Sequence, residues 1–246
     1  KSTIGTSQEE STKVLGVGWD ADADEFTFVF DPEMANKQIR TPRELVSVSA
    51  SLHDPLGFIA PYVLIGRRHL QKSTSNKTGW DSPLDSQLRD DFQKWSSSIP
   101  QLARLRVPRW WNYSLAEKVA SVELHLFSDA SISGYAAVAY RRATCHSGSV
   151  CVSIVTARCH VVPLDSSRAS HHNSIPRLEL VAAEKSVGIR QHVEASLKTC
   201  FNRRFMWTDS ECVLKQLFDT TTRFRAFFAN RLSKIHAATK KEEWRY

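Results

Sequence analysis

Leu124-His125-Leu126-Phe127-Ser128-Asp129-Ala130-Ser131 places apolar residues on alternate positions up to an acid, and small residues follow it at once. A period of two is the pattern of a half-buried strand, so Asp129 stands as a carboxylate at a strand's end. Ile132-Ser133-Gly134 can turn the chain, and Tyr135 to Tyr140 reads as the returning strand. Ser147-Gly148-Ser149 turns it again into Val150 to Val155, the third strand of a meander. Two later segments answer this one. Ile175-Pro176-Arg177-Leu178-Glu179-Leu180 opens a helix with Pro176 in its first turn and a stripe of Leu178, Ala182, Ile189 and Val193. Arg204-Phe205-Met206-Trp207-Thr208-Asp209-Ser210 is a strand ending on a second aspartate. Ser210 caps a helix with Val213, Leu214, Leu217 and Phe218 inward, and a last helix holds Phe228, Leu232 and Ile235.

Hard divalent cations take oxygen ligands. Two of them about 4 Å apart can serve both the attacking and the leaving oxygen of a phosphodiester displacement. Such ligands must converge from separate rigid elements. Fifty residues separate Asp129 from Glu179 and thirty more reach Asp209, room for two strands before the helix and one after it. Ligands grouped at one edge of an open sheet are the expectation. Taken singly, each acid also reads as a turn cap or a helix-dipole partner. Glu184 and Asp165 lie off this pattern, one further along the helix and one in a loop.

The 246 residues allow one large domain or two modest ones, and 41% hydrophobic with 24% charged residues is ordinary for a globular chain. A net charge of +7 favours an anionic partner, nucleic acid first, over an uncommitted basic surface. Five cysteines without a CxxC pair argue against a disulfide framework and against structural zinc. No apolar run approaches the roughly 20 residues of a membrane span, and Lys1 to Thr12 lacks a signal peptide's apolar core. The expectation is an intracellular protein that begins inside a longer sequence.

Upstream, Val14 to Asp20 and Glu25 to Phe30 form a hairpin, with Leu15, Val17 and Trp19 on one face and Phe26, Phe28 and Phe30 on another. The acids Asp20, Asp22 and Asp24 lack the glycine and distal Glu of a calcium loop and read as a solvated turn. Thr41-Pro42-Arg43-Glu44 starts a helix with a capping box. Asp54-Pro55-Leu56-Gly57 breaks it, and Pro61 opens a second helix to about Leu70 with Arg67, Arg68 and Lys72 at its basic end. Ser82-Pro83 opens a third with Leu84, Leu88, Phe92 and Trp95 on one face, ended by Ile99-Pro100. Arg104, Arg106, Arg109, Trp110 and Trp111 could clamp a strand or pack against a neighbouring domain. The domain boundary is placed between 119 and 120.

The chain resembles the pol polyprotein of BEL/Pao-type long-terminal-repeat retrotransposons. Thr41-Pro42-Arg43-Glu44 and Asp54-Pro55-Leu56-Gly57-Phe58-Ile59-Ala60-Pro61 are similar to its thumb, and Gly79-Trp80-Asp81 to its connection. Phe127-Ser128-Asp129-Ala130-Ser131, Ile175 to Leu180, Trp207-Thr208-Asp209-Ser210 and Ala229-Asn230-Arg231 match its ribonuclease H region. The resemblance implies an α/β fold in which a ribonuclease H-like mixed sheet of meander, helix, strand and helices fills 120–246. A smaller thumb and connection region of hairpin and helices fills 1–119. It implies cleavage of the RNA strand of an RNA/DNA hybrid, with Mg2+ or Mn2+ at Asp129, Glu179 and Asp209. It also implies a cytoplasmic retroelement particle and the rest of the reverse transcriptase polyprotein as partner.

The family carries a fourth acidic ligand past a stretch like Trp244-Arg245-Tyr246, where this chain stops, so an impaired nuclease is expected. No Tyr-x-Asp-Asp polymerase motif is present, and Asp219-Thr220-Thr221 lacks the glycine of an aspartic protease loop. Two rival readings remain. One is a non-catalytic nucleic-acid-binding remnant; the other is a transposase or integrase core, whose glutamate would follow both aspartates rather than lie between them. Candidate backbone contacts are the pairs Arg141 and Arg142, Arg203 and Arg204, and Arg223 and Arg225. His171 and His172 lie in the polar run Arg158 to Ser174, as proton shuttles or as solvated loop residues.

Overall fold

A computed structural model describes residues 13–14, 16–75, 79–111, 118–164, 174–197 and 199–246. Among them, those of Lys1–Pro55 and Trp80–Trp110 pack as one compact unit, and those of Leu56–Gly79 and Trp111–Tyr246 as another. The chain runs β1 (Lys13–Val14), β2 (Val17–Asp20), β3 (Glu25–Phe28), α1 (Pro32–Asn36), α2 (Pro42–Ala50), α3 (Ala60–Ser75), α4 (Ser86–Ser96) and β4 (Arg106–Pro108). It continues β5 (Val119–Ala130), β6 (Gly134–Cys145), β7 (Val150–Val161), α5 (Ile175–Ser196), β8 (Arg203–Thr208), α6 (Glu211–Phe218), α7 (Ala226–Ala238) and β9 (Trp244–Arg245). No helix among the described residues is long and apolar enough to cross a membrane.

In the first unit β1 to β4 form one antiparallel sheet in chain order. The β2–β3 hairpin forms where the alternation places it, but its register opposes Val17 to Phe28 and Trp19 to Phe26. Directly opposed residues share a face, so the two apolar sets lie together and not on separate faces; Phe30 lies outside the paired residues and Leu15 outside the described ones. The turn uses Asp24 at φ 52°, tied to Trp19 Nε1 at 3.0 Å and to Arg109. Arg109 is therefore part of this hairpin's own turn rather than a free clamp.

Thr41 caps α2 by accepting from the Glu44 amide at 3.4 Å. The Glu44 carboxylate reaches back to the amide of Arg40 at 2.7 Å rather than to that of Thr41, one residue beyond the box the sequence suggests. Helix α4 starts at Ser86 with Asp85 as its cap, three residues later than the Ser82-Pro83 reading. Leu84 falls outside it, its amide donating to Arg40 O at 2.8 Å, while Leu88, Phe92 and Trp95 are buried as the helical stripe requires.

In the second unit five strands lie in the order β7-β6-β5-β8-β9, antiparallel from β7 to β5 and parallel from β5 to β9. Strand β7 runs to Val161, so the stretch read as a loop from Arg158 begins as ladder. The burial pattern of β5 alternates, and Leu124, Leu126 and Met206 form the covered face with Leu180, Ala183, Val187 and Val193 of α5 above it. Removing one such Leu side chain costs about 2–5 kcal/mol. Trp244 of β9 closes the same core.

Helix α3 belongs to this second unit, although the sequence assigns it to the region before 119. It lies along β7, where Arg67 donates to Cys159 O at 3.2 Å, and just past its end Gln71 donates to Val162 O at 2.7 Å. The turn ahead of it is pinned by Leu56 O, which accepts from Ala157 N at 2.9 Å and Thr156 Oγ1 at 2.8 Å. Gly57 is required there: its φ is +81° and a Cβ would sit 1.9 Å from Ala157 O. Gly57→Ala is expected to lose about 2–4 kcal/mol, a left-handed penalty plus an overpacked contact. Gly148→Ala, at φ +91° with nothing within 4 Å of a Cβ, should lose only about 1–2 kcal/mol. Urea unfolding of the two variants checks this, and equal losses would contradict the contact.

Candidate active site

Two parallel strands position the candidate acids. Strands β5 and β8 pair as Leu126 with Met206, Phe127 with Trp207 and Ser128 with Thr208. Asp129 and Asp209 are the next residue on each. Because the strands run the same way, both apolar runs end on one edge, with backbones about 4.8 Å apart. Both aspartates are exposed. Asp129 Oδ1 accepts from the Ala130 amide at 2.6 Å. The two line a pocket of about 700 Å³ whose walls include Phe127, Trp207, Tyr140 and Tyr246.

Glu179 arrives from the first turn of α5. It is half-buried, and its Oε2 accepts a hydrogen bond from Ser210 Oγ. Ser210 is the residue after Asp209 and the N-cap of α6, its Oγ accepting from the Val213 amide at 3.2 Å. The structure therefore brings Asp129 and Asp209 to one strand edge and ties Glu179 to the neighbour of Asp209. Among the described residues it gathers no three His, Cys, Asp or Glu side chains into a metal-holding group. The donors fit a hard cation in kind, as carboxylate oxygens. Glu179 is directed at a hydroxyl. Glu184 is engaged by Arg231 at 3.2 Å and Lys234 at 2.7 Å. Asp165, His171 and His172 lie outside the described residues.

The arginine pairs do not act as pairs. Successive residues of a strand point to opposite faces. Arg141 falls on the covered phase of β6, 5% exposed, with its guanidinium 6.0 Å from the Trp111 ring, and burial pushes its pKa down. It is buried, whereas Arg142 and Arg203 reach solvent. Arg142, on the other face, donates to Glu123 Oε2 at 3.0 Å. Arg203 and Arg204 divide the same way: Arg203 stands 3.9 Å from Glu123 and is largely exposed, whereas Arg204 donates to Glu194 of α5 at 2.6 Å. Arg223 and Arg225 are exposed ahead of α7.

Sequence reasoning missed a set of rings on the sheet face opposite α5. Phe127 and Trp207 stack at 5.7 Å with planes 9° apart, and His125 stacks on Phe205 at 4.8 Å. Trp207 Nε1 donates to His125 Nδ1 at 3.1 Å, which leaves Nε2 as the donor toward Glu123 at 3.3 Å. Burial lowers the His125 pKa, against the raising effect of Glu123, and Arg142 and Arg203 lower it further. The signal was available, since residues 125 and 127 alternate with Leu124 and Leu126 and so face the other way.

A family model described as the Pao retrotransposon-like RNaseH-like domain matches residues 41–210. Among solved structures the chain is similar to the foamy viral protease-reverse transcriptase dRH in complex with double-stranded DNA. That likeness has 13% identity and a TM-score of 0.50 over 92% of this chain and 35% of that one, and it speaks for the fold alone. A likeness to RNase H1 from the halophilic archaeon Halobacterium salinarum has 13% identity and a TM-score of 0.29 over 51% of this chain and 82% of that one. No curated protein matches. The chain spans about a third of the length of the foamy viral chain, 35%.

His160 is depressed as well, by burial first and then by Lys185, Arg67 and Arg158. A histidine whose folded pKa lies below its unfolded value of 6.5 stabilises the fold fully above that pH and loses the contribution as pH falls through the folded pKa. The thermal midpoint should therefore drop as pH is lowered from about 6.5, and a variant carrying His125→Gln and His160→Gln should show a flatter profile. A slope unchanged by the double substitution would contradict this.

Proposed function

We propose, for a chain that belongs to the Pao retrotransposon-like RNaseH-like domain family, that its second unit cleaves the RNA strand of RNA/DNA hybrids. The observation that carries the reading is the placement of Asp129 and Asp209 side by side at the ends of parallel strands β5 and β8. Glu179 between them in sequence, tethered through Ser210, supports it.

Asp129 and Asp209 would hold the divalent cation, with Glu179, kept in place by Ser210, as the third carboxylate. Mg2+ or Mn2+ bound there supplies Lewis-acid chemistry, lowering the pKa of water and stabilising charge on the leaving oxygen. The protein's own part is to fix the acids. Strand pairing holds the backbones of residues 129 and 209, and the Ser210 hydroxyl orients Glu179 as an outer partner. A hybrid is held by its phosphates and 2′-hydroxyls rather than by base sequence, for which Arg203, Arg223 and Arg225 are exposed. In this reading the chain works within a reverse transcriptase polyprotein in a cytoplasmic particle, its first unit serving as thumb and connection. The second reading is a binding module without chemistry.

Cleavage of a labelled hybrid with Mg2+ or Mn2+ separates the two. Asp129→Asn and Asp209→Asn should each reduce the rate by at least about 100-fold. Ser210→Ala should reduce it by roughly 10–100-fold, as loss of an outer partner does. A wild-type chain that binds the hybrid but leaves it intact under both metals would make it the binding module.

A further inference from the structure

Two of the sequence's notable segments, Ile175 to Leu180 and Ala229 to Arg231, meet where α5 packs on α7, and each contributes an arginine to the same ring. The guanidinium carbons of Arg177 and Arg231 both lie 3.8 Å from the centroid of Phe227. Arg177 is also 5.7 Å from the ring of Phe228.

The two arginines differ in their partners. Arg231 donates to Phe227 O at 3.0 Å and stands 3.2 Å from Glu184. Glu184 is shared with Lys234 at 2.7 Å. Arg177 has no ion pair among the described residues, and its Nε is buried there without a hydrogen-bond partner. Two cations thus share one carboxylate, and Arg177 pairs with neither it nor another among the described residues. A half-buried guanidinium normally finds an anion or carbonyl acceptor. The Phe227 ring lies against the Arg177 guanidinium, whose terminal nitrogens make no hydrogen bond among the described residues and so suit the oxygens of a phosphate. Phe224 lies 6.4 Å from Phe228, so exposed Arg223 and Arg225 flank the same corner.

We propose that Arg177, held against Phe227 and Phe228, is a binding residue for a backbone phosphate of the nucleic acid, two residues before Glu179 in the first turn of α5. Arg231 is the strut that fixes the ring. The inference deepens the proposed function by naming how the strand is gripped, and it rests on that reading only in taking nucleic acid as the ligand. None of the arginine pairs evident in the sequence includes either residue.

The test is fluorescence anisotropy of a labelled RNA/DNA hybrid in EDTA, at several KCl concentrations, where no cleavage is needed. Arg177→Gln should weaken binding by roughly threefold to tenfold at physiological salt and flatten the salt slope by about 1, the loss of one phosphate contact. Arg177→Lys should restore the slope, because it keeps the charge. A salt slope for Arg177→Gln equal to wild type, with only a lower melting temperature, would overturn the proposal and leave Arg177 a packing residue. Absence of hybrid binding by the wild-type chain would overturn it too. Normal binding with the Arg177 effect but no cleavage would retire the nuclease reading and leave this one standing.

Discussion

The parallel pairing of β5 with β8 is the constraint on which the candidate site depends. Its register is fixed from three sides. Leu124, Leu126 and Met206 must face α5, and a slip of one residue would turn each toward solvent. At the far end Asn202 exchanges hydrogen bonds with the Val122 backbone, donating to its carbonyl and accepting from its amide, both at 2.8 Å. Near the site Ser128 Oγ donates to Trp207 O at 3.2 Å, and Phe127 stacks on Trp207. With the register held, residues 129 and 209 can only end side by side.

Ser210 links this edge to the helices. One hydroxyl caps α6 and donates to Glu179 of α5. A serine cap is worth about 1 kcal/mol. The position of Glu179 is thereby coupled to the start of α6 and, through the chain, to Asp209.

The alternation at residues 124–129 and 203–209 made both aspartate strands legible, because a half-buried strand must alternate. The helix carrying Glu179 was legible from Pro176 and its stripe of Leu178, Ala182, Ile189 and Val193, all buried as the pattern requires. Other features were not legible for definite reasons. Arg141 with Arg142, and Arg203 with Arg204, are adjacent in sequence but opposite in space. Helix α3 shows an apolar face, yet no local pattern says which sheet that face will meet; Arg67 reaching β7, and Gln71 reaching Val162 just past it, reveal it. The Glu179 to Ser210 bond and the meeting of Arg177 with Arg231 across Phe227 join residues 31 apart in one case and segments from separate helices in the other. Such contacts follow from packing and carry no signature in spacing.

The central claim is that Asp129 and Asp209 form one cation site. Titration of Mn2+ into this chain, read by the electron paramagnetic resonance signal of the free ion, tests it without any substrate. The account predicts that the wild-type chain removes Mn2+ from solution. Asp129→Asn and Asp209→Asn should each weaken that binding by at least about tenfold, the mark of ligands rather than bystanders. Mn2+ binding of equal strength in both variants, or none in the wild-type chain, would contradict it.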